Sequence, residues 1–501
     1  MGHGPRIPQG DPQRTLELIA HVVRNDRPFT EIMTADYMMV SPYSARGYGI
    51  FEQVKDRFKD TDNPFEYVPA KLPALKNKQG NTQESKTGFY PHAGLFSMFH
   101  YLRRYPTTET NRNRLRARMY YQHFLGINIM ELADQVADAA AIDVKYETPW
   151  MEAADCVVCH RTIDPVAGLF QDFYNEDGHY GPRKDGWFQD MFVPGLEGVD
   201  LPREDKWRSL QWLAERTSKD SRFAVAMTEH VWYVLSGRMA LRSPQDIDDP
   251  LFTPRRRAYK MQRQEIAEVS KRFSKANFNL KLVFKELAKS PFYRADGLKA
   301  GVEHPHRKAE LHDLGVTRLL APEQLERKIE ALFGERWGKV EKEMKILYGG
   351  INSQTVTERL TEPSGAMGAI QRIMANDVSC QHVTPDFARV SSKRLLFPQI
   401  EKDVVPSLSP ANDLKIRKAI VHLRSHLLDR HEPIDHPEVE RTFKLFSAVV
   451  TEAKKRKDID KRESYFCGRI DGKRVQDPHY TMRGWRAVVT YLLRQPEFLY
   501  E

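Results

Sequence analysis

Cys156-Val157-Val158-Cys159-His160 is the stretch of this 501-residue chain that decides the fold of its first half. Two thiols three residues apart, with a histidine directly after the second, have the spacing that attaches haem c. Each cysteine forms a thioether to the macrocycle, and the adjacent imidazole becomes an axial ligand of the iron. The stretch therefore predicts one covalent haem c, bound through Cys156 and Cys159 and ligated by His160.

Three other uses of the two thiols stay open. A zinc site would need a second close pair of ligands, whereas the other two cysteines, Cys380 and Cys467, are isolated in the sequence. A redox dithiol normally closes a strand–helix unit, and no βαβ pattern precedes Cys156. The alternatives to haem are thus half of a zinc site, a redox dithiol and a pair of inert buried thiols.

Composition and charge limit the class of protein. Hydrophobic residues make up 41% of the chain and aromatic residues 10%, which is enough for the cores of several domains. No apolar run approaches 18 residues, so we expect no transmembrane segment. The 77 basic and 68 acidic residues leave a net charge of +9 on a mixed surface. This balance predicts no nucleic-acid partner, but it suits a redox partner protein, including an acidic one.

The first residues conflict with the predicted cofactor. Residues 1–11, MGHGPRIPQGD, are polar and contain no apolar segment of the kind found in a signal peptide. Haem c is normally attached outside the cytoplasm. Either the haem prediction is wrong, or the sequence begins downstream of its true export signal. The second alternative predicts a periplasmic or otherwise exported protein with an incomplete N-terminus.

Hydrophobic periodicity predicts a mainly α-helical, multidomain protein. The CVVCH motif adds the expectation of a cytochrome-c-like haem domain in its first half. Long helices are expected near 322–348, 365–376, 412–428 and 436–456. Residues 61–92, rich in Pro, Lys, Asn and Gln, are interpreted as a surface connection. The predicted domains are an N-terminal helical segment at 1–75, the haem domain at 76–203, a helical companion domain at 204–296 and a C-terminal helical domain of unknown function at 297–501.

The sequence around the CVVCH motif resembles a known protein family. His92–Met98, Asn111–Gly126 and Cys156–Gly181 are similar to the planctomycete-type cytochrome c domain, and Phe223–Arg238 and Phe278–Tyr293 are similar to the helical domain that follows it there. Gln171 departs from the family pattern, which has glutamate at that position. The resemblance implies haem attachment through Cys156, Cys159 and His160.

A sixth iron ligand and a support for His160 are also expected. Met191 lies in a Gly/Pro-bearing loop that suits a thioether ligand, while Met227 and Met239 are weaker candidates. His92, His100 and His123 precede the motif; each is a candidate ligand but more typical of a structural residue. Pro165 is interpreted either as part of a loop whose carbonyl orients His160 or as a helix stop. An expected cover for the macrocycle consists of Asp172, Phe173, Tyr174 and Trp187.

Two questions stay open from the sequence. Cys380 and Cys467 are either disulfide partners, as an oxidising compartment would favour, or two free buried thiols. The leading function is electron transfer or another haem-linked redox role. The alternatives are a haem-dependent enzyme of the peroxidase or oxidase type with an open distal site, and an exported helical binding or structural protein with an accessory haem.

Overall fold

The protein is mainly helical, as predicted. A computed structural model describes residues 13–76, 80–129, 151, 154–173, 188–295, 304–311, 314, 318–352, 356, 359–456, 467, 469–470 and 473–500. Helices account for 59% of the structure and strands for 4%. The N-terminal residues 1–11 and the aromatic residues Tyr174 and Trp187, which entered the sequence predictions, lie outside these ranges.

The chain divides into two compact units, Met1–Gly315 and Val316–Glu501. The boundaries predicted after residues 75 and 203 do not separate compact units, because buried side chains from Leu18 to Leu287 pack into one core. Residues 61–92, interpreted above as a surface connection, contribute to this core, so no boundary between compact units lies near residue 75. They contain a strand that pairs with an earlier strand, and Leu72 among them is buried.

The first unit is built from short and medium helices with two small antiparallel ribbons. Its strands are β1 (Met38–Val40) paired with β2 (Val68–Ala70), and β3 (Gly195–Leu196) paired with β4 (Val199–Asp200). Its described helices are α1 (Gln13–Arg24), α2 (Glu31–Thr34), α3 (Pro42–Gly47), α4 (Phe51–Val54), α5 (Phe99–Arg104), α6 (Arg114–Leu125), α7 (Ala154–Leu169), α8 (Ser209–Thr217), α9 (Ser221–Ser236), α10 (Phe252–Lys275), α11 (Leu280–Lys289), α12 (Pro291–Arg294) and α13 (Pro305–Glu310).

Local sequence accounts for the ends of the helices that matter here. The Asp220 side chain accepts a hydrogen bond from the Arg222 amide at the start of α9, and Gly237 ends that helix with a positive φ of 70°. Gly126 ends α6 in the same way, with φ of 67°. Of these two helices, α6 packs against the helix that carries the CVVCH segment, and α9 packs against α6.

The second unit is a helical domain with its own core. Its described elements are α14 (Pro322–Phe333), α15 (Lys339–Lys342), α16 (Gly365–Ala388), α17 (Pro410–Leu428), α18 (Pro437–Lys455), α19 (Thr481–Leu493) and the ribbon of β5 (Arg469–Ile470) with β6 (Lys473–Arg474). The single helix predicted at 322–348 is wrong, because Gly334 ends α14 with φ of 88°. The helix predicted at 365–376 continues instead to Ala388.

Close packing of α18 against α19 organises this second core. Trp485 is fully buried, with its ring centroid 4.4 Å from that of Phe446. A Cβ atom at Gly484 would lie 2.8 Å from the Phe446 ring, so only glycine allows this approach without a shift. The two helices therefore meet around one aromatic pair that a side chain at position 484 would push apart.

Candidate functional site

Helix α7 carries the whole CVVCH segment. Cys156, Cys159 and His160 occupy positions i, i+3 and i+4, which fall on one face of a helix. Both cysteines are free thiols and partly buried. The His160 side chain is 24% exposed. The structure therefore presents two unbonded thiols and one accessible imidazole side by side, which is the donor set that haem c requires.

Burial affects the chemistry of the second thiol. The Cys159 sulfur lies 3.8 Å from the backbone oxygen of Ile129, just beyond the end of α6. Burial, with a smaller effect from Cys156, raises the pKa of the Cys159 thiol above its ordinary value. A raised pKa keeps this second thiol protonated at neutral pH, whereas a redox dithiol needs a lowered pKa only at its attacking thiol. The environment of Cys159 therefore leaves the redox-dithiol alternative open.

His160 is held in place by a buried carboxylate. Its Nδ1 lies 3.1 Å from Oδ1 of Asp164, one helical turn further along α7. Asp164 has no exposed side-chain surface. Because an ionised carboxylate only accepts hydrogen bonds, Nδ1 is the donor and Nε2 keeps its lone pair. This arrangement leaves the Nε2 lone pair of His160 available, as a metal-ligating imidazole requires.

Arg114 compensates the charge of Asp164. From α6 its Nε lies 2.7 Å from Oδ1 and its Nη2 3.2 Å from Oδ2 of that carboxylate. Burial alone would raise the pKa of Asp164, but the hydrogen bonds from His160 and Arg114 outweigh it and hold the pKa below its ordinary value. The carboxylate is therefore ionised at neutral pH.

The start of α6 attaches two further segments to the CVVCH helix. Asn113 donates a hydrogen bond of 3.1 Å to the Phe170 carbonyl, just after α7. The fully buried Arg116 guanidinium donates to the Phe173 carbonyl in the same region. Arg112 forms an ion pair with Asp190, the residue before Met191. One stretch of α6 and its entry thus positions both the His160 support and the Met191 loop.

Met191 is buried, with 5% of its surface exposed, in the core of the first unit. Its loop packs on α7, where a Cβ atom at Gly168 would lie 2.7 Å from the Pro194 side chain. Met227 is equally buried on α9, whereas Met239 is 45% exposed. Met191 as the sixth ligand stays a prediction.

The interpretation of Pro165 is wrong in both of its forms. The residue lies inside α7, so it neither ends the helix nor forms a loop. Proline at this position leaves the carbonyl four residues earlier without its helical hydrogen bond. The group that orients His160 is the Asp164 side chain rather than a backbone carbonyl. Of the four residues predicted to cover the macrocycle, Phe173 is buried and Asp172 is half-buried.

The upstream histidines have other partners. Nδ1 of the buried His92 lies 2.6 Å from the Ser97 hydroxyl, and His123 Nε2 lies 2.8 Å from the Tyr105 hydroxyl. The His100 ring packs edge-on against Phe99. The sequence analysis did not identify Arg112, Arg114 and Arg116 as functional residues. Their alternate spacing after Asn111 is visible in the sequence, but it does not indicate which residues they bind.

The structure also shows the state of the other two cysteines and of a pair of neighbouring histidines. Cys380 and Cys467 form a disulfide with their Cα atoms 4.5 Å apart. The His304 and His306 rings lie 5.1 Å apart at the start of α13. Within the described ranges, no group of three or more His, Cys, Asp or Glu side chains is arranged to hold a metal ion.

No family model, curated protein or solved structure matches this chain. The resemblance to the planctomycete-type cytochrome c domain therefore stays a prediction that depends on the residues themselves. Among the helices that the structure describes, none combines the length and the apolar composition that a membrane span needs.

Proposed function

We propose that this chain is an exported c-type haem protein that transfers electrons. Cys156 and Cys159 would attach one haem covalently, and His160 would ligate its iron. The observation that carries the proposal is the hydrogen bond from His160 Nδ1 to the buried Asp164 carboxylate. Metal-ligating histidines almost always donate their second ring N–H to such a group, which fixes the tautomer and raises ligand basicity.

The roles of the chain's own residues follow from this geometry. The bound haem supplies an iron centre that gains and loses one electron. Cys156 and Cys159 hold the ring orientation through two bonds on one helix face. Asp164 orients the imidazole, and Arg114 keeps Asp164 ionised so that it continues to accept that hydrogen bond. Met191, from the loop attached by Arg112, is the proposed sixth ligand that makes the site suited to electron transfer.

A haem stain on a denaturing gel tests the proposal. The chain is expressed with a supplied export signal and a cytochrome c maturation system, so that haem can be attached. The gel is denaturing because covalent haem survives denaturation and non-covalent haem does not. We expect a stained band that is lost when Cys156→Ala and Cys159→Ala are combined, because either cysteine alone can still form one thioether. The matched control combines Cys380→Ala with Cys467→Ala, which also removes two cysteines without leaving an unpaired thiol and should keep the stain. A colourless band whose two thiols both react with an alkylating reagent contradicts the proposal.

The state of the sixth position then separates electron transfer from a haem enzyme. A His/Met site should respond poorly to cyanide, azide or carbon monoxide, whereas an open site binds them readily. We expect the absorption spectrum to change little at moderate ligand concentration. A rapid and complete change would support the haem-enzyme alternative instead.

A further inference from the structure

We propose that one exposed side of α10 docks an acidic electron-transfer protein. The surface, called the basic stripe below, consists of Arg256, Lys260, Lys271 and Lys275. The inference rests on the proposed function, because it names the partner to which the haem site passes its electron. The bound haem would supply one electron, which the partner's own metal centre would accept, so no bond or proton has to move.

The stripe follows from helical spacing. Positions 256, 260, 264, 267, 271 and 275 of α10 are separated by four, four, three, four and four residues. They therefore lie within about 100° of arc on a helix of 3.6 residues per turn. All six residues at these positions are exposed, and from the first to the last they span roughly 28 Å at 1.5 Å per residue. In order they are Arg256, Lys260, Gln264, Ala267, Lys271 and Lys275. None of these six positions holds a carboxylate, and the neighbouring Glu268, which accepts a hydrogen bond from Gln264, lies at the edge of the stripe.

The remaining cations of α10 are neutralised, while those of the stripe are not. The other basic residues of the helix form ion pairs: Arg255 with Asp249, Arg257 with Glu310, Arg263 with Glu229 and Arg272 with Glu286. Within the described part of the chain, the four stripe residues have no carboxylate at ion-pair distance. The positive charge of this helix is thus concentrated on the side that faces solvent.

Contacts connect this helix to the CVVCH segment. Arg263, less than one turn from Lys260, is paired with Glu229 on α9. A Cβ atom at Gly126, which ends α6, would lie 3.4 Å from the Glu229 carboxylate. Three residues after Gly126, the Ile129 carbonyl approaches the Cys159 sulfur. The helix that carries the stripe is therefore linked to the CVVCH helix through α9 and the end of α6.

Charge complementarity favours an acidic protein as the occupant. Single-stranded nucleic acid would require aromatic rings between the cations for base stacking, but the intervening stripe positions are Gln264 and Ala267. Opposed charge between redox proteins raises their association rate and makes it fall with ionic strength. This gives the stripe a measurable role that a merely solvated helix face would not have.

The test measures electron transfer from the reduced haem protein to an acidic blue-copper protein by stopped flow. The variant carries Lys260→Gln, Lys271→Gln and Lys275→Gln. The matched control carries Lys415→Gln, Lys454→Gln and Lys455→Gln, three exposed lysines of the second unit with the same total charge change. A small uncharged oxidant is run in parallel with every protein.

For the wild type, we expect a second-order rate constant that falls steeply between about 0.02 and 0.2 M ionic strength. The stripe variant should be roughly tenfold slower at low salt with a flatter salt dependence, and the control should match the wild type. Equal rates in the stripe variant and the control would overturn the docking surface. A second outcome would also overturn the docking surface. In that outcome the wild type and the control bind duplex DNA or anionic vesicles and the stripe variant does not, while the electron-transfer rate constant of the variant is unchanged. Failure of every protein to react with the uncharged oxidant would instead overturn the proposed function.

Discussion

Arg114 binds the carboxylate of Asp164 at two points, although the two residues are 50 positions apart in the sequence. The same carboxylate accepts a hydrogen bond from His160, so it joins a cation from one helix to an imidazole on another. A buried carboxylate without such partners would be costly, because desolvation favours its neutral form. The ion pair is therefore what allows Asp164 to act as a charged support for His160.

Removal of this cation should destabilise the first unit. In Arg114→Met the buried Asp164 loses its counter-charge, and we expect a loss of about 3–5 kcal/mol in the free energy of unfolding at pH 7. Arg112→Met is the control, since its pair with Asp190 is partly exposed and should contribute at most about 1 kcal/mol. Denaturant titration monitored by circular dichroism measures both. Equal losses in the two variants would contradict this account.

In Arg114→Met, the contribution of Asp164 to the free energy of unfolding should change with acid in the opposite direction from that in the wild type. In the wild type the folded pKa of Asp164 is lowered, so its stabilising contribution is present above the ordinary pKa and is lost as pH falls through the folded pKa. Without Arg114, burial dominates and the folded pKa rises, so protonation removes the penalty. The difference between the two proteins should therefore shrink as pH falls towards about 4.

Neutralisation of the support should change the haem potential. Asp164→Asn keeps the shape of the side chain but removes its charge, which makes His160 less basic as a ligand. We expect haem to stay covalently attached and its reduction potential to rise, on the order of 60 mV, a tenfold change in a one-electron equilibrium. Spectroelectrochemical titration measures this rise. An unchanged potential in a fully loaded protein would show that Asp164 serves only the packing of α7.

The proposed sixth ligand can be tested with a matched pair of methionines. Met191 and Met227 are equally buried at 5%, so replacement by leucine should cost each site less than about 1.5 kcal/mol. We expect only Met191→Leu to open the iron to cyanide and carbon monoxide. Titration of the absorption spectrum with each ligand distinguishes the two. Identical, weak responses in both variants would exclude Met191 as a ligand.

The disulfide should stabilise the second unit. Cys380 and Cys467 enclose a separation of 87 residues, for which the loss of chain entropy on cross-linking corresponds to about 4–5 kcal/mol. We expect Cys380→Ser with Cys467→Ser to lower the melting temperature of that unit. Mass spectrometry after alkylation without reductant should detect two free thiols in the haem-free protein, those of Cys156 and Cys159. Four alkylated thiols would contradict the pairing.

A buried histidine should make the first unit sensitive to acid. Burial lowers the pKa of His92 from 6.5 to about 3, and Nε2 of this side chain has no hydrogen-bond partner among the residues that the structure describes. Between these two values the unfolded chain binds a proton that the folded chain does not. The free energy of unfolding should therefore fall by about 1.4 kcal/mol for each pH unit as the pH drops through this window.

His92→Gln tests this sign directly, because glutamine does not titrate and can still hydrogen bond to Ser97. We expect the stability of this variant to fall less steeply with acid than that of the wild type. His431→Gln is the control, since the His431 side chain is 73% exposed in the second unit. Parallel slopes in the wild type and His92→Gln, measured by denaturant titration from pH 7 to about 4, would contradict the prediction.

Much of the helical fold could be predicted because its signals are local. The expected helices at 412–428 and 436–456 agree closely with α17 and α18, whose amphipathic patterns and proline starts are short-range features. Domain boundaries could not be predicted in the same way. The stretch at 61–92 has a loop-like composition, yet β2 within it pairs with β1. Polar composition describes a segment's exposure to water and does not reveal a partner strand.

The sequence by itself determined which side chains share one face of α7. A period of 3.6 residues places Cys156, Cys159, His160 and Asp164 close together wherever that segment is helical. Only the tertiary structure decided that Arg114 meets Asp164 and that Cys380 meets Cys467. These contacts join positions far apart in the chain, and they depend on how whole helices pack through their apolar faces. That packing is a property of the complete core, so no short stretch of residues specifies it.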